Sequence, residues 1–275
     1  MAERFDFTLD PVEVDVLGQA LGVPTRIFPL RFPRTTGDPA RLTALADEVE
    51  AGLAGRRLSV RGRLNSWVRR AFELFAAHRA LVSITGIDGL GATIAVAGLT
   101  DGDQALGITQ LPDGDQLVFS LFSDEEFVEV LAGVLPVFAG APGPVLSVER
   151  GADVAMSAMR RRRLAEAEYD DEETDAFGNI ELRARVRPAR SDTASARVPD
   201  GDRLAALLAG ERLGGGQISV TGGRRASALG WVDTAAGRYL VHVDPGANGA
   251  MSARYVPAGP AAVAEAIGEA VARVY

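Results

Sequence analysis

Val82-Ser83-Ile84-Thr85-Gly86 and Ile218-Ser219-Val220-Thr221-Gly222 are two stretches of the same pattern, and they decide the fold. Both alternate β-branched apolar residues with Ser or Thr, which is typical of a β-strand with two different faces. They lie 136 residues apart, and the same offset separates Asp124 from Pro260, where two helices are expected to begin. The sequence therefore predicts an internal repeat of about half the chain length.

Short strands surround each stretch, and turn signals separate several of them. Asp88-Gly89, Asp101-Gly102 and Asp113-Gly114 indicate hairpins, because Asp and Gly tolerate positive φ. Two antiparallel meanders follow from this pattern, and Gly214-Gly215-Gly216 is interpreted as a turn before the second. The predicted strands are Ala80–Ile87, Ala92–Ala97, Gln104–Leu111, Gln116–Phe122, Gln217–Thr221, Ala226–Asp233, Arg238–Val243 and Met251–Pro257.

Helix signals lie before and after each meander. Asp10-Pro11 with Glu13 is a capping box, and Asp38-Pro39 repeats the pairing of a cap with Pro. Arg26–Pro33 is predicted to be an edge strand, since Pro29 cannot donate to a ladder. The predicted helices are Asp10–Gly22, Asp38–Leu53, Leu64–His78, a helix from Ser123 or Asp124 to Leu135, Asp200–Arg212 and Pro260–Val274. We expect two similar α+β halves, 5–145 and 146–274, related by a pseudo-twofold axis.

Composition limits the classes of function. The 275 residues carry a net charge of −8 and no Cys, so disulfides, thiol nucleophiles and thiolate metal sites are excluded, and nucleic acid is a disfavoured partner. No apolar run is long enough for a membrane helix, and the N-terminus has no signal core, which predicts a cytoplasmic protein. Between the halves, Val154–Leu164 is predicted to be helical, and the charged segment 165–199 is predicted to be flexible.

Candidate catalytic residues are few. His78 ends a helix, where a cation is favoured by the dipole, and a structural role is expected. His242 and Asp244 lie on one face of a strand and could serve a small hydrolase or metal-dependent enzyme, although no Gly-x-Ser-x-Gly elbow or metal-ligand set accompanies them. A regulatory ligand-binding module is a third class. We predict no cofactor and no catalytic residue, so that the function resides in a surface.

Two groups of motifs resemble the EspG family, the secretion-associated proteins of actinobacterial type VII (ESX) secretion. The first is the opening stretch Phe7-Thr8-Leu9-Asp10-Pro11-Val12-Glu13-Val14-Asp15-Val16-Leu17. The second comprises Gly216-Gln217-Ile218-Ser219-Val220, Gly230-Trp231-Val232-Asp233-Thr234 and Gly237-Arg238-Tyr239-Leu240. The resemblance covers about Phe5 to Val274. It implies one EspG-like domain, with a central antiparallel β-sheet flanked by two helical bundles.

The resemblance also implies a cytosolic chaperone that covers an apolar tip of a PE/PPE-like, or WXG-like, helical export substrate. Mycobacterial members of the family carry a longer loop between the first two meander strands, whereas here it spans only about Ile87–Gly91. On this basis the candidate contact residues are Asp88, Leu90 and Arg225 on hairpin loops, with Trp231 and Tyr239 on the C-terminal part of the sheet. Core packing is the alternative role for the two aromatic residues.

Overall fold

The computed structural model describes residues 4–33, 38–112, 116–150, 200–223, 225–245 and 251–275. The predicted helix Val154–Leu164 and the charged segment 165–199 lie outside these ranges. The described helices are α1 (Pro11–Leu21), α2 (Pro39–Gly55), α3 (Ser66–Ala77), α4 (Phe127–Ala132), α5 (Asp200–Leu208) and α6 (Pro260–Val274). The described strands are β1 (Phe5–Leu9), β2 (Ser59–Val60), β3 (Arg63–Leu64), β4 (Ala80–Ile87), β5 (Thr93–Thr100), β6 (Gln104–Gln110), β7 (Leu117–Ser123), β8 (Leu146–Arg150), β9 (Arg212–Gly222), β10 (Arg225–Thr234), β11 (Gly237–Pro245) and β12 (Met251–Pro257).

The predicted cap residues begin their helices. The Asp10 carboxylate accepts from the backbone N–H of Glu13 at 2.7 Å, and the Glu13 carboxylate accepts from the backbone N–H of Asp10 at 2.9 Å. This reciprocal pair satisfies two N–H groups at the start of α1 that have no partner within the helix. Asn65 caps α3 in the same way, accepting from the N–H of Trp67. The short-range signals of the sequence therefore fix where these helices start.

Ten strands form one sheet, in the order β1-β7-β6-β5-β4-β9-β10-β11-β12-β8. Every neighbouring pair is antiparallel, which confirms the prediction of an α+β fold built on an antiparallel sheet. The centre is the pairing of β4 with β9, in which Ser83 lies opposite Ser219. The two stretches of equal pattern thus pair with each other. We call β1 and β4–β7 the N-terminal part of the sheet, and β8–β12 the C-terminal part.

The sheet has two faces that are covered differently. On the front face, helices α1–α3 pack over the N-terminal part, against a core that includes Phe7, Leu106 and Phe119. On the back face, α4 and α6 pack over the centre, against a core that includes Ile84, Ile218 and Trp231. A smaller cluster on the front face joins α5 to the C-terminal part of the sheet.

The predicted edge strand Arg26–Pro33 is wrong, because these residues form an irregular segment. Its backbone is held by side chains instead. The Gln110 amide accepts from the N–H of Arg31 at 2.8 Å and donates to the Arg31 carbonyl at 3.1 Å, and the Ser83 hydroxyl donates to the Phe28 carbonyl at 2.7 Å. The sheet edge is occupied by β1, which pairs with β7.

Two further predictions about the start of β9 are wrong. The helix expected over Asp200–Arg212 ends at Leu208, and Arg212 already belongs to β9. The glycines at 214–216, predicted to form a turn, lie within that strand. The strand needs glycine there because a Cβ at Gly216 would lie 2.3 Å from the Trp231 ring and 2.2 Å from the Thr85 carbonyl oxygen.

Candidate functional site

A groove of about 820 Å³ lies on the front face, over the C-terminal part of the sheet. Leu208 of α5 lines one side, and the turn between β4 and β5 lines another. Small residues line the sheet beneath it: Gly215, Ala228, Gly230, Val241 and Val243. Arg212, Gln217 and Tyr255 also line the groove, so the small apolar residues form the part of its floor on which a helix can lie.

The strand residues explain why the groove is open. In the N-terminal part, the front face carries the large residues Leu99, Ile108 and Phe119, all fully buried beneath helices. At the corresponding face of the C-terminal part, Ala228 and Val243 remain exposed. Because an exposed apolar surface costs free energy in water, a sheet face left in this state is typical of a surface that binds another protein.

The β4–β5 turn lines the groove through Asp88, Gly89 and Gly91, and Leu90, which does not line the groove itself, lies between them at what we call its lip. Leu90 is 94% exposed at the tip, and Ile87 beside it is half exposed. The Asp88 carboxylate shapes the turn, accepting from the N–H groups of Leu90 at 2.9 Å and of Ala92 at 2.8 Å. Asp88 therefore holds the loop that presents Leu90.

Arg225 begins β10, and its side chain lies outside what the structure describes. Its backbone pairs with Gly222 at the end of the central strands where β4 begins, near Leu81. Ile87 and the β4–β5 turn lie at the other end of β4. The structure therefore brings Asp88 and Leu90 together at the groove but places Arg225 at the opposite end of the sheet.

Trp231 projects to the back face and is 3% exposed. Its indole ring crosses the two neighbouring strands, over Gly216 and Gly86, where an added Cβ would lie 2.3 Å and 2.7 Å from the ring. The ring nitrogen has no hydrogen-bond partner within the described residues. Trp231 thus fills the back-face core directly behind the floor of the groove.

Tyr239 is also 3% exposed, and it packs with Ala141, Leu146, Leu204 and Tyr255 on the front face. Burial raises the pKa of the Tyr239 phenol, which therefore stays neutral at physiological pH. The residue belongs to the cluster that seats α5 beside the groove. Its surroundings are those of a supporting residue.

A buried ion pair lies beside Tyr239. Arg238, 1% exposed, donates from Nε and Nη2 to the two carboxylate oxygens of Asp233, at 2.6 Å and 2.8 Å. Arg238 Nη2 also donates to the Pro136 carbonyl at 2.8 Å, and the guanidinium stacks over the ring of Phe138. Sequence reasoning did not assign these roles to the Asp-Thr and Gly-Arg motifs. Asp233 and Arg238, through the contacts of Arg238 with Pro136 and Phe138, fix the β10–β11 hairpin to the segment that follows α4.

His242 lies on the back face, at the end of α6. Burial and the charge of Arg254 lower the pKa of its imidazole. Asp244 is well exposed and pairs with Arg254 at 3.6 Å. Among the described residues, no group of three or more His, Asp or Glu side chains could hold a metal ion.

The groove residues that the sequence analysis missed are Ile87, Ala228, Gly230, Val241 and Val243. Each is an ordinary strand residue, and only the pairing register brings Gly230 opposite Val241 and places these residues on one face. The signal available in the sequence was the small size of the residues alternating along β10. That signal identifies an open face only after the partner strands are known.

Comparison with known proteins identifies the family to which this chain belongs. Among the helices that the structure describes, none has the length and apolar character needed to cross a lipid bilayer. No curated protein matches this chain. The sequence model of the EspG family, which is associated with ESX-1, matches residues 10–269 of this chain. The chain therefore belongs to the EspG family and has a role associated with ESX secretion.

Proposed function

We propose that this protein is a cytoplasmic chaperone of type VII (ESX) secretion that binds PE/PPE-like or WXG-like helical export substrates. It keeps them soluble and directs them to the secretion machinery. The observation that supports this role is the open groove, with its floor of small apolar residues and the exposed Leu90 at its lip. Membership of the EspG family supports the kind of partner.

The chemistry of the groove suits an amphipathic helical tip. Such a tip exposes apolar side chains at helical spacing and would aggregate alone, and burying them against the sheet removes that surface from water. About 800 Å² per partner is enough for a specific complex, with affinity concentrated in a few central anchors. Leu90, Ile87 and Val243 are exposed apolar residues of the kind that becomes such an anchor.

The candidate contact residues take different roles in this proposal. Leu90 contacts the substrate directly, and Asp88 fixes the turn that carries it. Trp231 and Tyr239 act from the two cores beneath and beside the groove, keeping its floor flat and α5 in place. Arg225 contacts a part of the substrate that extends along the sheet toward its opposite end.

We also propose that the molecule is a single domain of two similar halves, 5–145 and 146–274, with a pseudo-twofold axis through the centre of the sheet. Ser83 and Ser219 support this axis, since they pair directly and are separated by the repeat offset of 136 residues. The strand order also supports it, because a four-strand meander runs outward on each side of that pair. The helices that flank the sheet form the two bundles.

The test fills the groove without disturbing the core. Ala228 is exposed on the floor, so Ala228→Trp should occupy the site where the substrate helix lies while leaving the melting temperature within about 2 °C. Ala51→Trp on the exposed side of α2 is the matched control. Each variant is co-expressed with the small helical export proteins encoded near this gene, and the complex is measured by size-exclusion chromatography and titration calorimetry.

We expect the wild type and Ala51→Trp to form a complex, and Ala228→Trp to lose it. Leu90→Asp should weaken binding about 10- to 100-fold, since burying one leucine side chain contributes about 1.5–3 kcal/mol. Arg225→Glu tests the opposite end of the sheet. If both Ala228→Trp and Leu90→Asp bind the substrate fully, the groove is not the binding site. If the wild type forms no complex with any neighbouring helical export protein, the proposed chaperone function is wrong.

A further inference from the structure

A cluster of arginines surrounds the β2–β3 hairpin, far along the chain from the strands of the groove. Six arginines and no acidic residue lie between positions 56 and 70, in a chain whose net charge is −8. Arg56 and Arg70 are engaged within the fold, with Glu13 and Asp101 respectively. The remaining four are exposed: Arg57, Arg61, Arg63 and Arg69. We call these four the arginine cluster.

Arg57 occupies a backbone position that favours glycine. It follows the last turn of α2 with a φ of 61°. Its N–H donates to the carbonyl of Ala54 and that of Leu58 donates to Leu53, the hydrogen-bond pattern of a Schellman motif. The left-handed residue of this motif is usually Gly or Asn, because a Cβ is disfavoured there. An arginine is retained here at a cost to stability.

Arg61 repeats this situation four residues later. It forms the two-residue turn between β2 and β3 together with Gly62, with φ values of 52° and 71°. Two positive φ angles define a type I′ turn, whose first central position favours Asn, Asp or Gly. Within the described residues, Arg57 and Arg61 are the only residues other than glycine with positive φ. The two unfavourable positions therefore coincide with the arginine cluster.

None of the four guanidinium groups forms a hydrogen bond or ion pair with another described residue. The Glu50 carboxylate approaches the turn, since its Oε1 would lie 3.3 Å from a Cβ at Gly62. Val60 lies between the arginines and is 63% exposed. The segment from Arg57 to Arg69 thus presents one exposed apolar side chain and four exposed guanidinium groups that no described carboxylate pairs with.

We propose that the arginine cluster is a second interaction surface, which binds a short carboxylate-rich segment of a partner protein. Guanidinium groups bind carboxylates through paired N–H donors, and Val60 offers a contact for one apolar side chain of the segment. Residues in backbone conformations that disfavour a side chain cluster at functional sites. This surface is built from the end of the segment that follows α2, the hairpin and α3, and none of its residues lines the groove, so we expect that both surfaces can be occupied together.

The net charge of the molecule favours a short segment over an extended polyanion. At physiological salt, charges more than about 8 Å apart are largely screened, so a short peptide responds to the arginine cluster alone. A nucleic acid duplex or an anionic bilayer also faces the acidic remainder of the chain, which repels it. The chain has its own acidic run, with seven carboxylates from Glu166 to Asp175 against the four arginines Arg160–Arg163 directly before it. We commit to a separate partner protein, and the chain's own run is the competing occupant that the test distinguishes.

The test exploits the backbone positions. Arg57→Gly and Arg61→Asn relieve both left-handed positions, so the double variant should melt higher than the wild type, by about 2–4 °C per substitution. The probe is a fluorescein-labelled peptide of twelve glutamates, measured by fluorescence anisotropy at 50 mM and 500 mM salt. The wild type should bind it in the micromolar range at low salt, and the double variant at least tenfold more weakly. If Arg57 and Arg61 served only the fold, the double variant would not combine a higher melting temperature with weaker peptide binding.

Controls separate the arginine cluster from general charge. Arg4→Gln with Arg41→Gln removes the same two charges from exposed positions elsewhere and should leave binding within twofold. Equal loss of peptide binding in this control, or peptide binding by the Arg57/Arg61 variant equal to that of the wild type, would overturn the proposal.

Replacement of Asp170, Asp171, Glu172 and Glu173 by amides tests the chain's own acidic run. If these replacements raise the peptide affinity more than fivefold, the chain's own acidic run occupies the arginine cluster, and the proposal of a separate partner protein is wrong. Binding to phosphatidylserine vesicles through these arginines, without binding to the peptide, would also overturn it.

Discussion

The two parts of the sheet have the same meander of strands but use their front faces differently. In the N-terminal part, Leu99, Ile108 and Phe119 are covered by α1–α3, and the face is sealed. In the C-terminal part, glycine, alanine and valine line a groove that the described helices leave open. The comparison shows that strand topology does not determine which part of the front face stays open. The size of the alternating side chains along each strand differs between the two parts.

The largest effect should come from opening the sealed face. Phe119 is fully buried and stacks against Phe7 at 4.9 Å, so Phe119→Ala should lower the free energy of unfolding by about 3–5 kcal/mol. The matched change in the groove is Val243→Ala, where the side chain is already half exposed, and the loss should stay below about 1 kcal/mol. Urea denaturation measures both. Equal losses would mean that the two faces are equally packed, contrary to the comparison.

A loss of similar size should follow from the buried ion pair of the C-terminal part. Asp233→Ala leaves the Arg238 guanidinium buried without its carboxylate, which costs about 3–5 kcal/mol. Restoring a neutral pair with Asp233→Ala and Arg238→Met should recover part of that loss, because no charge is then left buried. Thermal unfolding of the single and double variants measures the difference. A double variant less stable than Asp233→Ala would contradict this account of the hairpin.

A smaller effect is expected at the start of α1, which covers the N-terminal part. Asp10→Ala removes the carboxylate that accepts from the Glu13 N–H and should cost about 1 kcal/mol. Asp10→Asn retains an acceptor and should lose less than half of that. Substrate binding at the groove should be unchanged in both variants, since α1 lies over the other part of the sheet. Weakened binding would show that the two faces are coupled.

The smallest effect concerns pH and the back face of the C-terminal part. Burial lowers the pKa of His242 below its unfolded value of about 6.5, so the unfolded chain takes up a proton first as the pH falls. The contribution of His242 to stability should be complete above pH 6.5 and should be lost progressively as the pH falls through the folded pKa. His242→Gln should therefore make the stability between pH 7 and pH 5 fall less steeply than in the wild type. Parallel curves would contradict the direction of the pKa shift.

Local signals predicted the elements whose limits depend on nearby residues. The capping box of α1, the Asn65 cap and the alternation across Ala80–Ile87 act within a few residues, and the structure has each at its predicted place. The strand Phe5–Leu9 was missed although its residues alternate, because it pairs with β7 more than a hundred residues away. Arg26–Pro33 was misjudged for the converse reason, since the Gln110 side chain replaces a strand partner there.

The candidate site was less predictable than the fold. Asp88 and Leu90 could be proposed from the short turn, but the groove floor depends on which residues of β10 and β11 lie opposite each other. The glycines of β9 illustrate the limit most clearly. In sequence they indicate a turn, and only the position of the Trp231 ring, contributed by the neighbouring strand, shows why a strand contains them.

The continuous pairing of β4 with β9 has a consequence for dividing the chain. Backbone hydrogen bonds along Leu81–Ile87 join the first meander to the second, so a fragment ending near residue 150 would leave the edge of β4 without its partner. Two fragments produced by cleavage between 150 and 200 should remain associated and should reassemble when mixed. Because the two fragments join along the pairing of β4 with β9, they can serve as a split reporter. Recovery of the folded sheet then shows that the two fragments have bound each other.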